Sequence, residues 1–415
     1  MIVYRLIGRV ALLLMAWSLP LASLMPTAQA AENPLSLKQA FEVAWARQPE
    51  ARAAGERREA LTARREMAQG WLAEPPSVEA AYKTDQLNSA QGSREYAAGV
   101  TLPLWLPGER ASQRSLAEIE GVVLERQLET ARLRTAGEVR EAWWSLVLAR
   151  VDLETAQMHR QKAERLAADV ARRVKFGDLS RADGHQADAA VAKAVAEVAR
   201  LRRVLAETVK PLRGLTGQTA PDTLRADIES TPHLSSAENT HPRLKEWIAR
   251  VEASRAARTL AGIQGRDHPE LHLAATRDRS NASDAWSNTL TLGVRIPLGS
   301  DSRGRIKIAT AAAEHLEAEA QQIIEQERIA AEIDAARKSE VAARDRLVAV
   351  EQQAQLANES RGFFEKSFRL GETDLPTRLR IEGEAQEAER EVARVRIEWA
   401  AAVSALRQAL GLLPE

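Results

Sequence analysis

The chain is written twice. Val100-Thr101-Leu102-Pro103-Leu104 reappears as Val294-Arg295-Ile296-Pro297-Leu298, 194 residues further on. At the same offset Phe176-Gly177-Asp178 becomes Leu370-Gly371-Glu372, Leu212-Arg213 becomes Leu406-Arg407, and Gly217 becomes Gly411. Earlier in each half, Pro49 pairs with Pro242 and Pro76 with Pro269, both 193 apart, so one residue is gained between Asp278 and Val294. Landmarks held in one register over this distance bind the fold: whatever one half forms, the other forms too.

Each half has the order helix, two short strands, a very long helix, a turn and a second long helix. The first helix is expected at about Leu37 to Trp71 and its counterpart at about Arg243 to Gln264. The long helices are expected at about 108–174 and 303–369, and the helices that follow them at about 179–213 and 374–410. At 1.5 Å per residue a helix of this length reaches roughly 100 Å, several times the width of an ordinary domain. Apolar residues keep alternating steps of four and three through Ala187, Val191, Ala194, Val198, Leu201, Leu205, Thr208 and Leu212. The same phase runs through Ile381, Ala385, Ala388, Val392, Val395, Trp399, Ala402 and Leu406, and in the long helix through Val139, Ala142, Leu146, Ala149, Leu153 and Ala156. A sustained repeat near 3.5 residues means coiled-coil packing. The helices alone would also suit a soluble coiled coil.

The strands argue for a bilayer. Val78, Ala80 and Tyr82 alternate with polar or small residues, a polar stretch runs from Asp85 to Arg94, and Tyr96, Ala98, Val100, Leu102 and Leu104 return on one face. In the second half Leu271, Leu273 and Ala275 lead into a loop from Asp278 to Asn288, followed by Leu290, Leu292, Val294, Ile296 and Leu298. One apolar face on strands of about 8–11 residues fits outer-membrane strands, and Tyr82, Tyr96, Trp105 and Trp286 near the strand ends are candidates for interfacial aromatic girdles. An ordinary sheet packed on helices is the alternative. Four strands close around nothing, and open edges in lipid cost several kcal/mol per unpaired group, so copies must share a barrel with cyclic symmetry. Two copies give a barrel filled by its own side chains, and more than two leave a lumen.

The N-terminus has the parts of a secretory signal: Arg5 and Arg9, an apolar run from Val10 to Met25, and Ala28-Gln29-Ala30 as the cleavage site. Residues 1–30 are expected to be removed, leaving repeat 1 at 31–217, a linker at 218–240 and repeat 2 at 241–415. Losing Arg5 and Arg9 changes 58 basic against 58 acidic residues to 56 against 58, with no nucleic-acid footprint. The chain has no cysteine, which excludes disulfides, thiolate metal sites and a lipid on an N-terminal cysteine.

The duplicated plan resembles the TolC family of outer membrane factors over the whole mature chain. The resemblance is carried by the two apolar-Pro-Leu strand ends and the passages Pro107-Gly108-Glu109-Arg110 and Gly299-Ser300-Asp301-Ser302-Arg303-Gly304 into the long helices. It is carried equally by the helix turns Lys175-Phe176-Gly177-Asp178-Leu179 and Arg369-Leu370-Gly371-Glu372-Thr373-Asp374. The run Phe368 to Pro376 looks most like the CzcC-like heavy-metal-efflux branch. The resemblance implies a mainly α fold with a transmembrane β part. Three chains would form a homotrimer with a 12-strand β-barrel in outer-membrane lipid, joined to a 12-helix α-barrel in the periplasm.

It implies a passive export duct, without enzymatic chemistry or cofactor, reached through a periplasmic adaptor from an inner-membrane pump of the resistance-nodulation-division type. Phe176, Gly177, Asp178 and Leu179, with Leu370, Gly371, Glu372 and Thr373, are the expected adaptor contacts, and the glycines also suit helix termination at positive φ. The best-studied members constrict the tunnel with acids six and nine positions beyond the second tip glycine; here Thr377 and Arg380 stand there. Asp183, six beyond Gly177, is a candidate gate carboxylate. A drug-efflux or type I secretion duct remains open, as do a periplasmic adaptor and a structural coiled-coil protein. His268 and His272 are four apart, but Pro269 and the strand pattern remove the helical geometry that would align them on a metal, and no phosphate loop or nucleophile motif occurs.

Overall fold

A computed structural model describes residues 35–87, 90–219, 227–232, 240–298 and 302–415. The expected signal segment, the junction at Gly299, Ser300 and Asp301, and most of the linker lie outside these residues. The elements in chain order are α1 (Leu37–Arg47), α2 (Pro49–Gln69), β1 (Ser77–Thr84), β2 (Arg94–Pro103), α3 (Glu109–Phe176) and α4 (Arg181–Thr216). The second repeat supplies α5 (Pro242–Ile263), β3 (Glu270–Arg279), β4 (Ser287–Arg295), α6 (Ser302–Arg369) and α7 (Leu375–Ala409).

Both α3 and α6 have 68 residues, so each runs about 100 Å. The helix expected at Leu37–Trp71 is two helices. Gln48 is extended (φ −64°, ψ 140°) because the ring of Pro49 excludes the helical region for the residue before it, and Pro49 then opens α2.

The apolar stripes are the contacts that hold the long helices together. Ala187, Val198, Leu201 and Leu212 of α4 are buried, as are Ile381, Ala385, Ala388, Val395 and Leu406 of α7. The largest core lies midway along the helices, where Leu37, Ala40, Phe41 and Ala44 of α1 pack on Val139, Trp143, Leu146 and Val147 of α3, with Leu212 and Ala400 closing it. A second cluster ties the two helical hairpins together near their turns through Val170, Ala187, Phe368 and Leu375.

The four strands form one antiparallel sheet in the order β1-β2-β3-β4, so the repeats are joined edge to edge by β2 and β3. Among the described residues, neither β1 nor β4 has a further partner strand. The register places Val78, Val100, Leu273 and Leu292 in one row and Ala80, Ala98, Ala275 and Leu290 in the next, all on one face. The other face carries the row Ser77, Thr101, His272 and Gly293 and the row Lys83, Glu95, Asp278 and Ser287. β4 ends at Arg295, since Pro297 has no N–H to give a ladder; Ile296 and Leu298 continue the exposed apolar alternation beyond it.

Candidate functional site

The turn between α3 and α4 is built by a glycine. Gly177 has φ 85° and donates its N–H to the carbonyls of Arg173 and Val174, while the Asp178 N–H reaches Arg173 O at 2.9 Å, which closes the helix end as a Schellman turn. Nothing lies within 4 Å of a Cβ added at Gly177 or at Gly371, so backbone conformation alone demands glycine. The turn between α6 and α7 repeats the device: Gly371 has φ 80°, and the Glu372 N–H donates to Ser367 O at 3.0 Å. Phe176, Gly177, Asp178, Leu370, Gly371 and Glu372 are exposed, while Leu179 and Thr373 are half-buried against the helices.

Asp183 has local work. Its Oδ2 accepts the Ser180 N–H at 2.9 Å and the Ser180 hydroxyl at 2.7 Å, while Ser180 Oγ accepts the Asp183 N–H, a reciprocal cap on α4. Asp374 caps α7 by accepting the Thr377 N–H at 3.1 Å. The contact that sequence reasoning missed here is made by Phe368. It is buried one turn before Gly371 with the guanidinium groups of Arg173 and Arg378 over its ring at 5.1 and 4.6 Å, joining α3, α6 and α7 at the tip. Its counterpart 194 residues earlier is Val174, so the duplication itself carried no sign of it.

Behind the tips a cleft of about 1100 Å³ separates the helical hairpins, lined by charged side chains of all four helices, among them His159, Lys162, Glu197, Arg361, Glu382 and Arg390. Glu389 receives Lys162 Nζ at 2.9 Å and Arg361 Nη1 at 2.8 Å, and Asp152 faces Arg390 and Arg394 at 3.7 and 3.5 Å. Burial, then the charge of Lys162, holds the His159 ring below the usual imidazole pKa against the pull of Glu389. Among the described residues no three His, Asp or Glu side chains are grouped to hold a metal ion, and no helix is long and apolar enough to cross a membrane.

At the other end of the helices the sheet joins α3 through Glu109, which is fully buried. Its carboxylate accepts His268 Nε2 at 2.8 and 2.9 Å, the Leu106 N–H at 3.1 Å and the Gln264 amide. Burial opposes the charged form, but those donors outweigh it and keep the carboxyl below its usual pKa. His272 lies apart from His268 and bonds Thr101 Oγ1 at 3.1 Å.

Of the expected girdle aromatics, Tyr82 and Tyr96 stack at 4.9 Å between centroids, and Trp286 lies 5.8 Å from Tyr96, at the loop end of the sheet. Trp105 lies at the helix end, half-buried, with its indole N–H donated to Gly70 O at 3.1 Å. Trp71, expected as the end of the first helix, falls instead in the bend after α2, which ends at Gln69, and is 93% exposed.

The linker also holds a group that the sequence concealed. Glu229 is buried with Arg140 of α3, which donates to it at 2.7 and 3.0 Å and also to Gln408 and to the Leu412 carbonyl. The Ser404 hydroxyl donates to Glu229 as well, and accepts the Trp144 N–H at 2.8 Å.

Residues 41–218 match the family model described as outer membrane efflux protein. The chain is 28% identical over 225 residues to the cobalt-zinc-cadmium resistance protein CzcC of Cupriavidus metallidurans, an alignment that covers 52% of this chain and 53% of that protein. The chain thus spans about half the length of the curated relative it matches. Its fold is similar to that of the transmembrane-channel protein CusC (13% identity, 91% of this chain and 92% of that chain, TM-score 0.73). It is also similar to that of the outer membrane protein VceC of Vibrio cholerae (18% identity, 91% and 97%, TM-score 0.72). The resemblance to TolC-type outer membrane factors therefore holds for family model, relative and fold alike.

Proposed function

We propose that this chain, whose first repeat matches the outer membrane efflux protein family, is the outer-membrane duct of a tripartite efflux system. The observation that carries the reading is the two-faced sheet with free edges. Val78, Leu290, Leu292 and Val294 stand exposed on one face, and both outer strands lack partners among the described residues. Three copies joined β4 to β1 make a closed barrel of 12 strands, lipid outside and polar rows inside, continuous with 12 helices that line a periplasmic tunnel. An uncovered apolar stripe on α6 supports association of copies: Leu316 and Ile323, Val341 and Val348, and Leu356 and Phe363 are exposed pairs seven residues apart.

The duct carries out no chemistry, and residues 1–30 act as a cleaved export signal. Exposed Phe176 and Leu370 support the two tip turns as the contacts for a periplasmic adaptor, which links the duct to an inner-membrane pump of the resistance-nodulation-division type. The similarity to a cobalt-zinc-cadmium resistance protein favours divalent heavy-metal cations as cargo over drugs or proteins. The charge pairs of Asp152 and Glu389 across the hairpins close the periplasmic end until the adaptor engages, with Asp183 as a further carboxylate near that end.

Fractionation tests the whole reading. The mature protein should extract from outer membranes with detergent at about three subunit masses, and a water-soluble monomer would overturn it. In cells, Phe176→Ser with Leu370→Ser should lower survival on zinc, cobalt or cadmium while the extracted species keeps its mass.

A further inference from the structure

The apolar face of the sheet is not apolar throughout. Its rows, followed from the helix end to the loop end, finish in Tyr82, Tyr96, Arg277 and Asn288, and then in Thr84, Arg94 and Arg279. Arg94, Arg277 and Arg279 have the same strand parity as Val100, Leu273 and Ala275 and so belong to the outward face. All three stand at the end away from the helices. The other strand arginine among the described residues, Arg295, belongs to the opposite face and the opposite end, where it faces Glu270 at 3.6 Å.

Among the described residues no carboxylate forms an ion pair with these three charges. Glu95 and Asp278 lie on the inner face, where Glu95 takes Lys83 Nζ at 2.9 Å. The loop carboxylates Asp85 and Asp284 accept the N–H groups of Gln91 and Asn281. Among the described residues none of the three arginines has an ion pair, and the enclosed Nε atoms of Arg94 and Arg279 have no acceptor. Trp286 orients two of them, with Arg277 at 5.0 Å and Arg279 at 4.9 Å from its ring centroid. A guanidinium held on an aromatic face keeps its N–H fork free for a planar or tetrahedral oxyanion.

Resting on the barrel reading, which turns this face to lipid and this end to the exterior, we infer that Arg94, Arg277, Arg279 and Trp286 form a docking surface for the phosphorylated headgroup of an outer-leaflet lipid. Charge complementarity selects that occupant. A zwitterionic headgroup brings its own cation against three unpaired guanidinium groups, whereas phosphomonoesters fill their open donors. The lipid-facing tyrosines, level with Arg277 and one row below Arg94 and Arg279, pack against the upper acyl chains.

The test uses the full mature chain in phosphatidylcholine nanodiscs containing bis-phosphorylated lipid A or the same lipid with its phosphates removed. Co-isolated lipid is counted by native mass spectrometry, and insertion is followed in parallel by vesicle flotation. At about fivefold per arginine, removing three charges should reduce the preference for the phosphorylated lipid on the order of a hundredfold. The variant R94Q/R277Q/R279Q should therefore insert with unchanged subunit number yet retain both lipids alike. Arg277→Gln, at an exposed position, should lose a graded part of the preference, and Lys83→Gln on the inner face should lose none. An inserted wild type without preference, or a triple variant that keeps it, overturns the docking surface and leaves the barrel standing. Equal binding of inorganic phosphate by the detergent-solubilised protein, abolishing lipid retention, overturns the lipid as its occupant. Failure of the wild type to insert in either disc overturns both.

Discussion

His241 caps the start of α5 by accepting the Arg243 N–H on Nδ1 at 3.2 Å, which only a ring unprotonated there can do. Burial, then the charge of Arg243, lowers its pKa to about 4 from 6.5. A folded pKa below the unfolded one gives stability that is complete above about 6.5 and is lost as pH falls toward 4. The heat-denaturation midpoint should therefore drop between pH 7 and pH 5, and His241→Asn, which keeps a cap without a titrating ring, should flatten that dependence. Arg140 and Glu229 are a different kind of residue-scale device, a buried ion pair in a shell of further hydrogen bonds. Removing one partner strands the other, so Glu229→Ala should cost about 3–5 kcal/mol, measured as a fall in the denaturant midpoint. Neither residue was legible in the sequence. A lone His before Pro242 and a lone Glu in a polar linker look like many solvated residues; the burial of His241, and the partners that reach Glu229 from α3 and α7, come only with the fold.

The long elements were legible because their information is repetitive. The stripes through Val198 and Leu201, and through Ala385 and Ala388, recur often enough that no single residue had to be right, and they are buried. What the pattern missed were breaks and contacts made by single residues. The interruption at Gln48 depends on one proline ring, and the Phe368 contact depends on two arginines from other helices. Close approach of α7 to its neighbours relies on small side chains, and Ala385 is wholly buried. Ala385→Leu should therefore overpack the contact and cost about 1–3 kcal/mol, seen as earlier loss of helical circular dichroism on heating. The strand alternation was also legible, because a period of two survives even where Pro297 ends the ladder.

For the whole molecule, the sheet faces have opposite tolerances. Leu292→Arg puts a charge on the outward face and should weaken folding into vesicles by about 2–4 kcal/mol if it sits near the bilayer midplane, while Thr291→Arg, its neighbour on the inward face, should leave folding unaffected. Equal losses for the two variants would remove the lipid from the outward side. The free edges of β1 and β4 have a genetic consequence as well. A chain that completes its sheet on its neighbours, as the proposed barrel requires, cannot keep a defect to itself. In the proposed three-copy barrel, a cell making intact and defective copies in equal amounts should leave, by random mixing, only about one duct in eight wholly intact. Loss-of-pairing alleles should therefore be silent, since such chains never join, whereas alleles that assemble but cannot open should be dominant.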